Sequence, residues 1–198
     1  MRAHVQNLLL ALFLATTPGA TAAPMHKAAA GARIWYSPND YPQLALPDGR
    51  PETIRSVLNI TKPMHFGDFV WNEDGIGKGP LWIRVDLARQ LISVFRGGHE
   101  IGTAVILYGG DGKASPTGSF TVLEKSAHYY SHTYDAPMPY MLRLTNDGVA
   151  IHGSNVREGW ATHGCIGVPL EFARLLFGAA KKGDAVVIVP APRGAKKA

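Results

Sequence analysis

A single cysteine, Cys165, lies in the stretch "IHGSNVREGWATHGCIGVP" (residues 151–169), with His152 upstream of it and His163 almost adjacent. A thiol with a pKa near ~8.5 is mostly protonated at neutral pH, so nucleophilic work needs a base or a lowered pKa. Both histidines are candidate bases. His163 is so close in sequence that local backbone sets its geometry. His152 closes the run "GVAIHG" and is expected at a strand end, reaching Cys165 if the loop "GSNVREGWAT" folds back. Nucleophile and base from different segments of one scaffold is a common layout, and it makes His152 the expected general base. Gly153 and Gly164 allow close backbone approach. The N–H groups of Gly164 and Cys165 are candidate donors to a developing oxyanion. A helix beginning near Pro169 would lower the thiol pKa if its N-terminus faced the sulfur.

Two other readings fit the same residues. A free cysteine packs well as a small buried hydrophobe. Alternatively, His152, His163 and Cys165 could ligate zinc, with His128 or His132 as a fourth ligand. H-x-C beside glycine matches structural zinc spacing poorly, so neither metal nor cofactor is expected.

The chain has 198 residues, enough for one domain with a substantial core. Its 22 glycines and 14 prolines favour turns and short strands over long helices. Residues 1–22 are expected to be a secretory signal: Arg2, a short apolar run over residues 8–15, a Pro18-Gly19 break, then small residues. The run is shorter than the roughly 20 apolar residues that span a bilayer, so no stable span is expected after cleavage. The expected location is therefore the periplasm or cell envelope. There, a lone cysteine has no internal disulfide partner, and it is an inert buried thiol, an intermolecular bridge or a reactive group. The net charge of +5 suits a polyanionic envelope, although a solvated basic tail over residues 191–198 explains much of it. No nucleic-acid-binding motif is present.

Residues 23–79 are expected to form an N-terminal segment, partly flexible, ending in the Gly-rich "NEDGIGKGP". "TIRSVLNI" is ambiguous between helix and strand. Beyond it, "LWIRVDL" alternates, with Leu81, Ile83, Val85 and Leu87 on one face, and "QLISVFRGG" and "EIGTAVILYGG" continue as strands. "SPTGSFTVLEK" reads as a turn feeding a strand, and "YMLRLTNDGVAIHG" as strand, turn, strand. "PLEFARLLFGAAKKG" is the one clear helix, with Leu170, Ala173, Leu176 and Phe177 on its buried face and Gly178 or Gly183 as its stop. "DAVVIV" closes the domain as a strand. The expected fold is mainly β, with one helix after Cys165. Trp160 is expected to anchor the loop rather than serve as a stacking surface, and "HYYSH" (128–132) to be a polar strand end or loop.

From "LWIRVDLARQLISVFRGG" through "SPTGSF" and "IHG…THGCIG" to "KKGDAVVIV", residues 80–190 resemble the L,D-transpeptidase (YkuD-type) catalytic domain. The shared signature is a His, a loop, then Ser/Thr-His-Gly-Cys and an apolar residue: here His152, Thr162, His163, Gly164, Cys165 and Ile166. A papain-like hydrolase would place Cys before His. The resemblance implies a β-sandwich or barrel and an exported enzyme of the cell wall. Cys165 would form a thioester with a tetrapeptide stem of peptidoglycan, D-alanine would leave, and a stem amine would take the acyl group. His152 would move the proton, held by the Gly153 carbonyl, while His163 and Thr162 would line the site. It also implies carbapenems as covalent inhibitors. Tyr140, with Tyr134, is expected as a cleft wall that donates to substrate. Gly167 departs from the family's usual Arg or Asn, and the loop before Cys165 is short. These departures keep open a carboxypeptidase or amidase using water. A non-catalytic envelope-binding module is the third reading.

Overall fold

The computed structural model describes residues 33–46, 51–110 and 112–190. The expected signal and basic tail lie outside them. Short strands β1 (Ile34–Trp35), β2 (Gln43–Ala45), β3 (Pro51–Thr53), β4 (Ser56–Val57) and β5 (Phe69–Trp71) come first. The ambiguous "TIRSVLNI" is thus extended. Next come β6 (Leu81–Asp86), β7 (Leu91–Arg96), β8 (His99–Val105), β9 (Gly118–Thr121), β10 (Glu124–Ser131), β11 (Ala136–Arg143), β12 (Ala150–Ser154) and β13 (Ile166–Pro169). Helix α1 (Leu170–Ala179) and β14 (Ala185–Val189) complete the order.

Among the described residues, eight strands form one sheet, ordered β1-β4-β8-β7-β6-β14-β9, with β5 also pairing β8. Four form a second, ordered β10-β11-β12-β13, and β2 pairs β3. Residues 33–79 therefore supply β1, β4 and β5 to the same sheet as β6–β8. The fold is mainly β with one helix after Cys165, as the sequence implies. Alternation builds the core. Ile83, Val85, Ile92 and Val94 from the large sheet meet Leu142, Ile151, Ile166 and Val168 from the small one. Burial of such side chains contributes roughly 1.5–3 kcal/mol each before entropy is counted.

Helix α1 is the wedge between them. Its buried face is Phe172, Ala173 and Leu176, and Phe172 makes edge contacts with Phe69 and Trp71 at 6.0 and 5.5 Å. Of the expected face, Ala173 and Leu176 are buried, whereas Leu170 is 47% exposed and Phe177 half-buried, its ring against Tyr140 and the Lys125 ammonium. The helix also runs through Gly178 to Ala179. Its last carbonyls are bound instead by the Lys125 ammonium from β10, 2.5 Å from Phe177 O and also bonded to Ala180 O. A cation there complements the helix dipole.

Gly102 of β8 faces this wedge. A Cβ there would overlap the Trp71 indole and press on Phe172 at 3.2 Å. Gly102→Ala is expected to cost about 1–3 kcal/mol by overpacking, read as a lower midpoint in chemical denaturation.

Candidate active site

The pocket at Cys165 measures about 140 Å3 and is lined by His152, Thr162, His163, Cys165, Tyr134 and Met138, among others. Its geometry follows from one pairing. Strand β12 runs parallel to β13, with Ile151 opposite Ile166 and His152 opposite Gly167. Side chains two residues apart share a face of a strand. His152 therefore emerges on the same face as position 167 and, two residues earlier, Cys165. His152 sits in the middle of β12 rather than at its end.

The His152 Nδ1 lies 2.9 Å from Gly153 O. A carbonyl only accepts, so Nδ1 carries the proton and Nε2 is left as an acceptor. Burial lowers the His152 pKa, opposed by that backbone bond. Burial likewise raises the Cys165 pKa, opposed by the Ala150 N–H and by the Lys113 charge, while Asp147 adds to the rise. Thiol and imidazole are both neutral at rest. The sulfur's hydrogen-bond partner is Gly148 O, 3.8 Å away.

Several contacts fix the turn before Cys165. Thr162 Oγ1 donates to Cys165 O at 2.5 Å, and Ser115 Oγ donates to Gly164 O at 2.9 Å. The same Ser115 oxygen accepts the Gly109 N–H at 2.9 Å. Gly164 has φ +103°, a left-handed conformation that side chains rarely adopt. Ser115 belongs to the "SPTG" turn, which the sequence presents as a turn alone. Its reach to residue 164 is a long-range contact with no local signal.

The helix-dipole expectation is corrected. Four residues of β13 separate Cys165 from α1, roughly 13 Å of strand at ~3.3 Å per residue, and a helix terminus acts within about one turn. Tyr140 is also not among the residues lining the Cys165 pocket. It has φ +56° and no partner in the β10–β11 register, which breaks the strand's alternation, and its ring packs on Phe177 at 5.8 Å. Tyr134 does reach the pocket, stacked on His163 at 4.8 Å with planes 16° apart. Trp160 does not anchor the loop: it is 58% exposed, with Arg157 over its ring at 5.9 Å. "HYYSH" spans the end of β10 and the turn after it. Neither His128 nor His132 lines the pocket. Among the described residues, no group of three His, Cys, Asp or Glu side chains could hold a metal ion.

Gly167 has its N–H and C=O bonded to Leu107, at 2.9 and 2.8 Å. A Cβ there would meet Ser154 Cβ at 2.9 Å. The family's usual Arg or Asn therefore has no room beside Ser154.

A family model for the L,D-transpeptidase catalytic domain, YkuD, matches residues 80–188. The chain belongs to this family. Solved structures agree in fold. An L,D-transpeptidase from Stackebrandtia nassauensis is 24% identical, with TM-score 0.54 and 60% of each chain covered. A cysteine-to-serine mutant of the Enterococcus faecium L,D-transpeptidase is 25% identical, with TM-score 0.51, covering 57% of this chain and 50% of that one. L,D-transpeptidase 3 from Mycobacterium tuberculosis, carrying a faropenem-derived adduct, is 20% identical, with TM-score 0.51, covering 56% of this chain and 60% of that one. This chain thus covers half to three-fifths of those structures. No curated protein matches. Among the described residues, no helix is long and apolar enough to cross a membrane.

Ser115→Ala removes one buried hydroxyl that serves both Gly109 and Gly164. It is expected to cost about 1–3 kcal/mol, the usual penalty for orphaned buried groups. It should also change the rate at which Cys165 is alkylated, which a mass-spectrometric time course reads directly.

Proposed function

We propose that this protein is an exported peptidoglycan L,D-transpeptidase with Cys165 as nucleophile and His152 as general base. The observation that carries the reading is a neutral, half-buried imidazole whose free nitrogen shares one small pocket with the chain's only thiol. On substrate binding the thiol turns from Gly148 O toward His152 Nε2, which takes its proton. Hydrogen bonds of this kind are often long before substrate arrives. The sulfur attacks the carbonyl of the third stem residue. The N–H groups of Gly164 and Cys165 stabilise the oxyanion. His152 then protonates the departing amine of D-alanine, leaving a thioester. A second stem's amine, deprotonated by His152, takes the acyl group and restores the thiol.

Thr162 acts by holding the Cys165 carbonyl, and His163 with Tyr134 forms the wall facing the substrate. Residues 80–190 are the catalytic domain and residues 1–22 the export signal, placing the enzyme in the periplasm or cell envelope. The neutral thiol suits a β-lactam carbonyl equally, and the adduct derived from the penem faropenem on the mycobacterial relative supports β-lactams, carbapenems among them, as covalent inhibitors. Water as acceptor is the second reading, favoured by Gly167, which leaves the face beside His152 without a side chain to hold an incoming amine.

Incubation of the mature chain with disaccharide-tetrapeptide, followed by mass spectrometry of protein and products, is expected to give an adduct on Cys165 and stem dimers. Tripeptide without dimers would support the hydrolytic reading. Neither adduct nor turnover would overturn both. His152→Ala is expected to lower turnover on the order of 10²–10⁴-fold, the usual worth of a general base. Since the base must be unprotonated and burial lowers its pKa, activity should persist below the ~6.5 of a free imidazole. A pH–rate profile with its acidic limb above that value would contradict this.

A further inference from the structure

Among the described residues, a second cavity exceeds the one at Cys165 in volume. A groove of about 760 Å3, more than five times larger, lies on the outer face of the large sheet. Alternation makes its floor. Ile92 and Val94 point into the core, so Leu91 and Ser93 point outward, opposite Val105 and Thr103. Apolar and hydroxyl-bearing side chains are thus interleaved on the outer face of the sheet. Residues 60–66 cross above it, contributing Ile60, Met64 and Phe66.

Two features mark the groove as more than a packing gap. Glu100 lines it although the residue is only 7% exposed, with Oε2 accepting the Leu58 N–H at 2.9 Å. Burial pushes its carboxyl above the usual range, opposed by a Ser93 hydrogen bond. Gln90, on the wall, has φ +53°, held by the Ile106 N–H on its carbonyl at 3.0 Å. Backbone strain of this kind costs of order 1–3 kcal/mol and clusters at functional sites.

The groove also reaches the active-site loop. Glu158 lines it, and Glu158 lies between His152 and Cys165 in the chain. The rim carries Lys62 and Arg89 against Glu158, so no single charge sign dominates. A polyanion is not favoured by that rim. An added peptide strand is not favoured either, because β7 is paired on both sides and β8 is paired with β7, β4 and β5. Interleaved methyl, hydroxyl and carboxyl groups suit a neutral sugar, which presents C–H faces and hydroxyl or amide edges.

We propose that this groove binds the glycan backbone of peptidoglycan, a chain of N-acetylated amino sugars, while a stem is held at Cys165. The inference rests on the reading of Cys165 as acting on that polymer. Leu91 and Met64 would take the sugar faces, and Ser93 and Gln90 the hydroxyl and acetamide groups, above the buried Thr103, Val105 and Glu100. The volume lies within the 300–1,000 Å3 typical of ligand sites.

The test uses the mature chain and stem-free glycan oligosaccharides as probe, with binding read by saturation-transfer NMR, beside turnover of a free tetrapeptide. The native protein is expected to give a glycan signal. Ser93→Phe, which fills the floor, should weaken glycan binding at least tenfold and keep tetrapeptide turnover within about twofold. Lys62→Ala, on the exposed rim, should weaken glycan binding by a smaller factor with the fold undisturbed. A native protein that turns over tetrapeptide but gives no glycan signal overturns the groove assignment alone. Variants that bind glycan as well as the native chain overturn it too. A native protein inert toward tetrapeptide overturns the active-site reading, and with it the inference that rests on it.

Discussion

The parallel pairing of β12 with β13 is the constraint on which the rest of the site depends. It places His152 level with Gly167, and so aims the imidazole to the same side as Cys165. A one-residue slip would turn His152 into the core and away from the thiol. The pairing is held from both sides. Leu142 of β11 pairs Ile151, and Leu107, beyond β8, takes both backbone groups of Gly167. The buried side chains Ile151, Ile166 and Val168 lock the register by burial on the opposite face.

This arrangement also explains the electrostatics. A thiol packed among Met138, Met141 and Ala150, on the face of the small sheet turned away from the large one, sits where charge is disfavoured. Burial lowers the histidine and raises the thiol, so the proton has not moved before substrate arrives. Reactivity is then a property of the bound complex rather than of the free thiol. That suits the proposed export, since oxidation follows thiolate character and a neutral thiol resists it outside the cytoplasm. Ser115 and Thr162 supply the remaining precision by holding the carbonyls of Gly164 and Cys165.

Much of this was legible in the sequence, for a physical reason: period-2 alternation in β6 and the 3.6-residue pattern of α1 are local and survive any tertiary context. The nearness of His152 to Cys165 was legible from the motif, whereas the parallel pairing that creates it depends on a crossover that no local pattern announces. What escaped was non-local or set by backbone exceptions. The positive φ of Tyr140 breaks the alternation that would have sent its ring to the cleft. Strand β13, four residues long, intervenes between thiol and helix where the sequence reads as one continuous apolar run. Ser115 reaches residue 164 through a contact that only the fold creates. The groove on the outer sheet face was invisible for the same reason, since residues 58–66 cover β7 and β8 across a wide gap in sequence.

The measurement that tests the central claim most directly is the pH dependence of Cys165 alkylation by iodoacetamide in the native chain and in His152→Ala. A neutral thiol beside a neutral imidazole predicts a single step above the ordinary thiol pKa in the native protein, with almost no reaction at pH 5–6. A reactive plateau across that acidic range, lost in His152→Ala, would mean a preformed thiolate–imidazolium pair and would contradict the account.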